Sequence, residues 1–327
     1  MLGRRQETRM ILIVTNSDDP TADFVGERLL AKGIPFERLN ADTFQHTGEI
    51  SIVPEQGVWN LHFDNRSIRN CDILSVWLRI IPRPQYDNRD PDIVRYVTQE
   101  WEACWKWYFN SMNQDTIVDP EWKMARAANK LLQLQVATQL GLTVPKTLVT
   151  TSCRDSREFF EHNEHTVVKT LGGFGSVIDK RRFKAIYTNR VSIDDMQNAE
   201  SLRLAPVIFQ EEIDKLYEVR ATLVGSSMFS CKIESQRSER TATDWRRYDF
   251  NNVPHSPIDL PKDIEEKLKQ LAQHFGIRFA SFDLAVSKTK DLIFFEMNPN
   301  SQWVWIERLT GLQITDSLID LLSSPAP

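Results

Sequence analysis

The sequence predicts a mixed α/β (α+β) protein with more than one domain, and three observations lead there. The chain has 327 residues, more than the ~150 that one core ordinarily organises. Its opening segment alternates a short apolar run, a helical stripe and a second short run, the pattern of strand, helix and strand. Its final third reads instead as hairpins separated by helices. Apolar residues at 41% and charged residues at 26% exclude a disordered chain and a disulfide-dense mini-protein. Forty Lys+Arg against 45 Asp+Glu give a net charge of −5, so no global basic field attracts nucleic acid, although a local basic pocket for a small polyanion is allowed.

In chain order, Met10–Val14 is a buried-type strand, too short for a signal peptide or a membrane span. The cluster from Asn16 to Pro20 starts a helix that ends at Gly33,. Pro35–Asn40 and Ile73–Arg79 read as strands, Ile50–Val53 and Val58–Phe63 as a hairpin, and Asp92–Met112 as a long helix. This first unit, residues 1–118, reads as a small open α/β domain. The second, 119–206, holds a helix from Asn129-Lys130 whose Leu131, Leu134 and Ala137 form an apolar face, capped by Gly141. Strands Thr147–Val149 and Thr166–Thr170 follow, with a helix near Asp155–His162 between them. The third, 207–327, opens on the strand Val207–Glu211, then the hairpin Tyr217–Gly225 with Met228–Glu234 across Ser226-Ser227. Ser235–Asn252 is polar with four arginines, and a helix spans Pro261–Phe275. The hairpin Phe279–Val286 with Leu292–Asn298 precedes a last helix, Thr315–Leu322. Cys71, Cys104, Cys153 and Cys231 form no C-x-x-C pair. That spacing suits a reducing cytoplasm and suggests neither a zinc site nor a redox dithiol. A cytoplasmic protein with no membrane or nucleic-acid partner is therefore expected.

The last hairpin carries the most chemistry. A turn centred between Thr289 and Lys290 places Asp283 opposite Glu296, with Cβ atoms ~5 Å apart on one face, and Asn298 projects from that same face. Two facing carboxylates in a poorly hydrated place repel unless a proton or a cation neutralises them. Two carboxylates and an amide oxygen suit Mg²⁺; the plainer alternative is pairing with neighbouring Lys or Arg, and a three- or five-residue turn would break the alignment. Upstream, Lys169 ends a strand that runs into Gly172-Gly173-Phe174-Gly175. Such a loop lets backbone N–H groups approach phosphate, with Lys169 adding a point charge. It is neither a Walker A motif nor a dinucleotide fingerprint, and a surface turn explains it equally well. Glu218 and Arg220 share one side of a strand, either as a simple salt bridge or as partners for a ribose hydroxyl and a phosphate.

Taken together these parts stand in a known order: Lys130, Lys169 before glycines, Glu211-Glu212, Glu218-x-Arg220, Arg246, then Asp283 and Glu296-x-Asn298. Over residues ~120 to 322 this order resembles the ATP-grasp superfamily of carboxylate ligases, and the first unit is similar to a pre-ATP-grasp domain. The string from Glu296 to Glu307, EMNPNSQWVWIE, resembles the microviridin-type (graspetide) peptide maturases, as do Val76-Trp77-Leu78-Arg79 and Val207–Glu211.

The resemblance implies that Lys130 and Lys169 bind nucleotide phosphates and that Gly172, Gly173 and Gly175 cover the triphosphate. It implies that Gln210, Glu211, Glu212 and Ile213 belong to the nucleotide pocket and Glu218 holds the ribose. Arg220 and Arg246 would stabilise the transferring phosphoryl group, and Asp283, Glu296 and Asn298 would hold Mg²⁺. ATP and Mg²⁺ are the implied cofactors, a ribosomal precursor peptide of leader and core the implied partner, and a homodimer the implied assembly. Ser301, where these maturases tend to have Gly, and Leu78 and Ile80 beside Arg79 depart from the pattern and bear on substrate rather than on ATP use. The implied reaction is macrocyclisation: phosphorylation of Asp or Glu side chains, then attack by a Ser/Thr hydroxyl or a Lys amine. The alternatives are an ATP-grasp amino-acid ligase and a non-catalytic peptide-binding module. Trp101, Trp105 and Tyr108 at helical spacing read as core or a subunit interface, and Trp303 and Trp305 as packing, the alternative for these two, so close after the metal strand, being a wall of the acyl site. His162 and His165 lack a third metal ligand, and Asp194-Asp195 reads as a solvated helix start.

Overall fold

The computed structural model describes residues 9–80, 90–163, 165–172, 176–179, 182–185, 187–197 and 199–325. Residues 10–118 supply β1 (Met10–Thr15), β2 (Phe36–Asn40), β3 (Glu49–Val53), β4 (Val58–Phe63), β5 (Arg66–Arg69), β6 (Ile73–Leu78) and β7 (Ile117–Val118). The order β2-β1-β6-β7 is parallel throughout, and β3-β4-β5 is a separate antiparallel sheet. Both faces of β1 are covered, which is why it reads as unbroken apolar sequence. Ile11 and Ile13 pack with Val25, Leu29 and the C-terminal residues Trp303, Ile314 and Leu318. Leu12 and Val14 pack with Trp59, Trp105 and Tyr108. The Trp101–Tyr108 stripe is thus core, as its spacing suggests. Asp19 caps the helix Pro20–Ala31 by accepting from Thr21 N and Ala22 N,.

The middle of the chain supplies β8 (Thr147–Thr150), β9 (Thr166–Lys169), β10 (Ser176–Asp179), β11 (Arg182–Ala185), β12 (Asn189–Arg190) and β13 (Val207–Glu211). The sheet order is β12-β9-β13-β8. Val207–Glu211, expected to open the third unit, is instead an inner strand antiparallel to both β8 and β9. Its Ile208 and Phe209 are buried, so a break at residue 206 would cut through a hydrogen-bonded ladder. The helices Glu121–Ala127 and Lys130–Gln139 correct the expectation in the opposite sense. Ala127, Val136 and Ala137 join the core beneath the last sheet, with Val219 and Phe282. The buried face of Lys130–Gln139 is Gln133, Val136 and Ala137, whereas Leu131 is exposed. A polar Gln133 is tolerated inside because its amide is fully used: it donates to Met297 O at 2.7 Å and accepts from Met297 N at 2.8 Å.

The C-terminal part holds β14 (Lys215–Val224), β15 (Ser227–Ile233), β16 (His255–Pro257), β17 (Phe279–Ser287) and β18 (Leu292–Asn298), ordered β16-β15-β14-β17-β18. The β14–β15 turn is Gly225-Ser226, one residue earlier than expected, because Gly225 takes the positive φ of +59°,. Across the units, Ser75 Oγ donates to Leu322 O at 2.7 Å. Asp119 accepts from the backbone N–H groups of Arg278 (3.0 Å) and Phe279 (2.9 Å) at the start of β17. No helix among the described residues is long and apolar enough to cross a membrane.

Burial raises the Asp119 carboxyl to about 6 against the pull of Phe279 N–H, Arg278 N–H and nearby positive charge. Its folded pKa therefore lies above the unfolded ~3.9. Stability from this group is greatest below about pH 4 and declines as pH rises through 6. Measured by urea unfolding, the stability of the wild type relative to Asp119→Asn should be about 1–3 kcal/mol more favourable at pH 4.5 than at pH 7.5. An unchanged gap between the two pH values would contradict this titration.

Candidate active site

The β17–β18 hairpin brings Asp283 and Glu296 together, by a route the sequence does not display. The turn is three residues long: Ser287 N donates to Asp291 O at 2.9 Å, and Lys290 has φ +70°. Near the turn the strands are one residue out of the expected register, with Val286 facing Leu292 and Leu284 facing Phe294. A β-bulge between Leu284 and Asp283 absorbs the extra residue, Phe295, and from there Asp283 faces Glu296 as expected. The bulge also breaks strict alternation, so Phe295 and Glu296 both line one cleft. Asn298 follows on the same face and donates through Nδ2 to Asp283 Oδ2 at 3.0 Å and Glu296 Oε1 at 3.4 Å.

In this structure the facing carboxylates are neutralised by side chains. Arg220, directly opposite Asp283 in the β14–β17 ladder, donates from Nη1 to both its oxygens at 2.7 and 2.8 Å. Glu296 is approached by Arg246 Nη1 at 3.4 Å and Lys130 Nζ at 3.6 Å. Burial and the Glu296 charge keep Asp283 above the ordinary carboxylate range even though Arg220 opposes them. Burial acts on Glu296 too, but Arg246, Lys130 and Lys169 together hold it below its usual value. The plainer alternative of Lys and Arg pairing is thus realised, yet three cations converge on one carboxylate. Lys130, Lys169 and Arg246 line the cleft together, and cations gathered in this way can meet the oxygens of a polyanion,. Asp283, Glu296 and, on rotation of its amide, Asn298 offer hard oxygen donors. Among the described residues no third His, Cys, Asp or Glu joins them, a set that suits Mg²⁺ sharing its shell with phosphate oxygens.

The rest of the predicted set largely converges here. Lys130, Lys169, Gln210, Glu211, Glu212, Ile213, Glu218, Arg246, Asp283 and Glu296 all line the cleft. Lys169 Nζ donates to Gln210 Oε1 at 2.6 Å and sits 4.8 Å from the Phe295 ring centroid. Lys130 Nζ donates to Thr170 O at 3.2 Å, beside Lys169 in the chain. Glu218 pairs with Lys215 at 2.9 Å, while Glu211 and Glu212 turn toward Lys146 (3.7 Å) and Arg190 (2.7 Å). Arg220 lies behind the lining, against Asp283, and Asn298 opens on a second cavity shared with Arg79 and Asn300. Gly172 is exposed; Gly173 and Gly175 lie outside the described residues.

Sequence reasoning missed Asp244 and Trp245. Asp244 caps the turn Trp245–Arg247 and grips Arg246 through two bonds, Nε at 2.8 Å and Nη2 at 2.7 Å. Despite its burial, those bonds to Arg246 hold its carboxyl down to about 2. The signal was present as Asp-Trp-Arg-Arg, an acidic cap before arginines in a polar stretch. Trp303 is packing, as expected: it lies against Trp77 and Phe279 and donates to Thr315 Oγ1 at 3.0 Å. Asp194 and Asp195 are exposed in the first turn of the helix Ile193–Gln197.

Residues 10–125 match the family model of the MvdD pre-ATP grasp domain. Along the whole chain the structure is similar to macrocyclase MdnC bound with precursor peptide MdnA from Microcystis aeruginosa MRC. The TM-score is 0.87 at 29% identity, covering 97% of this chain and 100% of that one. It is similar to the Chryseobacterium gregarium RiPP-associated ATP-grasp ligase in complex with ADP, leader and core peptide, with TM-score 0.88, 26% identity and 98% of each chain. Macrocyclase MdnB from Microcystis aeruginosa MRC matches with TM-score 0.80 and 28% identity over 96% of this chain and 99% of that one. No curated protein matches the sequence. The fold is therefore ATP-grasp with a pre-ATP-grasp domain.

The lysines give a direct test of the cleft's preference for anions. Burial lowers the Lys169 ammonium to about 8, with Glu296 partly restoring it. It is charged below that value and neutral above it. Tripolyphosphate binding, read by calorimetry, should weaken above pH ~8 in the wild type, whereas Lys169→Arg keeps its charge and should bind evenly to pH ~10. Identical pH profiles would remove Lys169 from the anion site.

Proposed function

We propose, on the premise that this chain is an ATP-grasp ligase of the microviridin-type peptide-maturase family, that it macrocyclises a ribosomal precursor peptide. The observation that carries the reading is the convergence of Lys130, Lys169 and Arg246 on Glu296, beside the Arg220–Asp283 pair. Solved structures of similar fold that carry ADP or a precursor peptide support it. In this reading Gln210, Glu211, Glu212 and Ile213 border the nucleobase and Glu218 accepts a ribose hydroxyl. Lys130 and Lys169 hold phosphates. Asp283, Glu296 and Asn298 hold Mg²⁺, which when bound supplies charge neutralisation at the phosphates.

A carboxylate is a poor electrophile, so the enzyme must first convert its oxygen into a leaving group. The substrate carboxylate oxygen attacks the γ-phosphorus, the bond to the β-phosphate oxygen breaks, and ADP leaves an acyl phosphate. Arg246, fixed by Asp244, and Arg220, fixed by Asp283, stabilise the charge on the transferring group without reorganising at the moment of reaction. A Ser/Thr hydroxyl or Lys amine then attacks the carbonyl carbon, phosphate departs and the nucleophile's proton passes to it or to solvent. The peptide ends as a ring, by ω-ester or ω-amide. The leader tethers the core and so raises its local concentration. The enzyme works in this reading as a cytoplasmic homodimer.

Incubated with ATP, Mg²⁺ and a precursor peptide of leader and core, the enzyme should lower the peptide mass by about 18 Da per ring, one water for each condensation. A mass gain equal to an amino-acid residue would favour the amino-acid ligase instead. Glu296→Gln should cut ADP release by about 100-fold or more with an unchanged circular dichroism spectrum. Turnover at the wild-type rate would dismiss Glu296 from the site.

A further inference from the structure

The cleft does not end at Arg246. Trp245 lines it and has the Arg220 guanidinium 5.7 Å from its ring centroid. From there a run of rings leads outward. Trp305 lies 5.2 Å from Trp245, Tyr248 meets Trp245 edge-on at 5.7 Å, and Phe250 stacks on Tyr248 at 5.2 Å. His255 closes the group against Trp305 at 5.5 Å. The inner ring, Trp245, is 8% exposed, while Tyr248 and Phe250 are 43% and 46% exposed.

Three features set this surface apart from ordinary packing. Tyr248 has φ +45°, a left-handed conformation that is unfavourable for an aromatic residue and persists where the surroundings impose it. The five rings themselves carry little charge: burial holds the His255 imidazole below its ordinary value, and the carboxylate of Asp249, between the two exposed rings, is turned to Ser238 and Asn252. It is also continuous with the reacting groups, since besides its burial the Tyr248 phenol feels the charges of Arg220, Asp283 and Arg246.

We propose that Trp245, Tyr248, Phe250, His255 and Trp305 form an aromatic wall that seats an uncharged aromatic side chain of the peptide next to the carboxylate being activated. This rests on the reading of the cleft as a peptide-carboxylate site. Successive residues of an extended peptide stand ~3.5 Å apart along the chain, so a side chain flanking the residue whose carboxylate is held at Arg246 comes within reach of Trp245 and Tyr248. Rings spaced 5–6 Å apart accept a further ring offset-stacked or edge-on. A charged neighbour would lose hydration against the five rings.

The test uses two probes, acetyl-Gly-Phe-Glu-Phe-Gly-amide and acetyl-Gly-Ser-Glu-Ser-Gly-amide, titrated calorimetrically into the full chain saturated with ADP and Mg²⁺. The phenylalanine peptide should bind about tenfold tighter or better. Phe250→Ser, at an exposed position, and Tyr248→Gly, which frees the backbone, should each bring the ratio toward one while leaving ADP affinity unchanged. Equal or undetectable binding of the two peptides, or a preference that survives in both variants, overturns the wall. Hydroxylamine trapping of the same peptides with ATP reads carboxylate activation separately. A binding preference without hydroxamate would keep the wall and sink the acyl phosphate, and hydroxamate without a preference does the reverse.

Discussion

A buried Asp283 and a partly buried Glu296, facing each other across β17 and β18, set the terms for everything around them. Left alone, the two carboxylates would repel in a place where water screens them poorly. The fold answers with Arg220 on the adjacent strand and with Arg246, Lys130 and Lys169 from three other segments. Each of those cations is positioned in turn: Arg246 by Asp244, Lys169 by Gln210, and Lys130 by Thr170 O. The result is a charged network whose members come from the helix Lys130–Gln139, β9, β13, β14 and the Trp245–Arg247 turn. Elements distant in the chain must therefore fold together before any of these charges is stabilised.

The first domain contributes to the same region through its attachment. Arg79, at the end of β6, donates to Asp19 at 2.6 Å and lies over the Trp77 and Trp303 rings. Asn300, just past Asn298, has φ +130° and donates to the Arg79 carbonyl. The C-terminal ends of β1 and β6 thus meet the end of β18, and the second cavity lies where they meet, lined by Asn16, Arg79, Asn298 and Asn300. Substrates of open parallel sheets gather at such strand ends, where the connections diverge to either side. The Trp-x-Arg pattern seen in the sequence finds its physical basis here: the Trp packs in the core and the Arg bonds across the seam.

Local structure was widely legible from the sequence. Met10–Val14, the helix capped by Asp19, the long helix to Ser111 and the four long strands of the last sheet follow from periodicity and turn residues within a residue or two, whereas its short edge strand His255–Pro257 carries no such pattern. Partnership between elements was less so. Val207–Glu211 was recognised as a strand, but nothing in its own residues tells it to join β8 and β9 rather than β14. Leu131 and Gln133 exchange their expected environments because the neighbouring β18 offers Met297's backbone to an amide. The Asp283–Glu296 pairing was anticipated on a two-residue turn; the molecule reaches it with a three-residue turn corrected by a bulge at Phe295.

By itself, then, the sequence determined most of the longer strands and helices, through periodicity and turn residues that are local. It also singled out Lys130, Lys169, Glu218, Arg220, Arg246, Asp283, Glu296 and Asn298 as candidates, through residue type and the resemblance of their order to ATP-grasp ligases. Tertiary structure alone decided which cation faces which carboxylate, that Asp244 and Lys215 belong to the cleft, and that Phe295 turns into it beside Glu296. Such outcomes depend on strand order, on the register of a ladder and on where a bulge falls. Each is fixed by contacts among residues far apart in the chain, and the free energy that selects among them appears only once the core has closed.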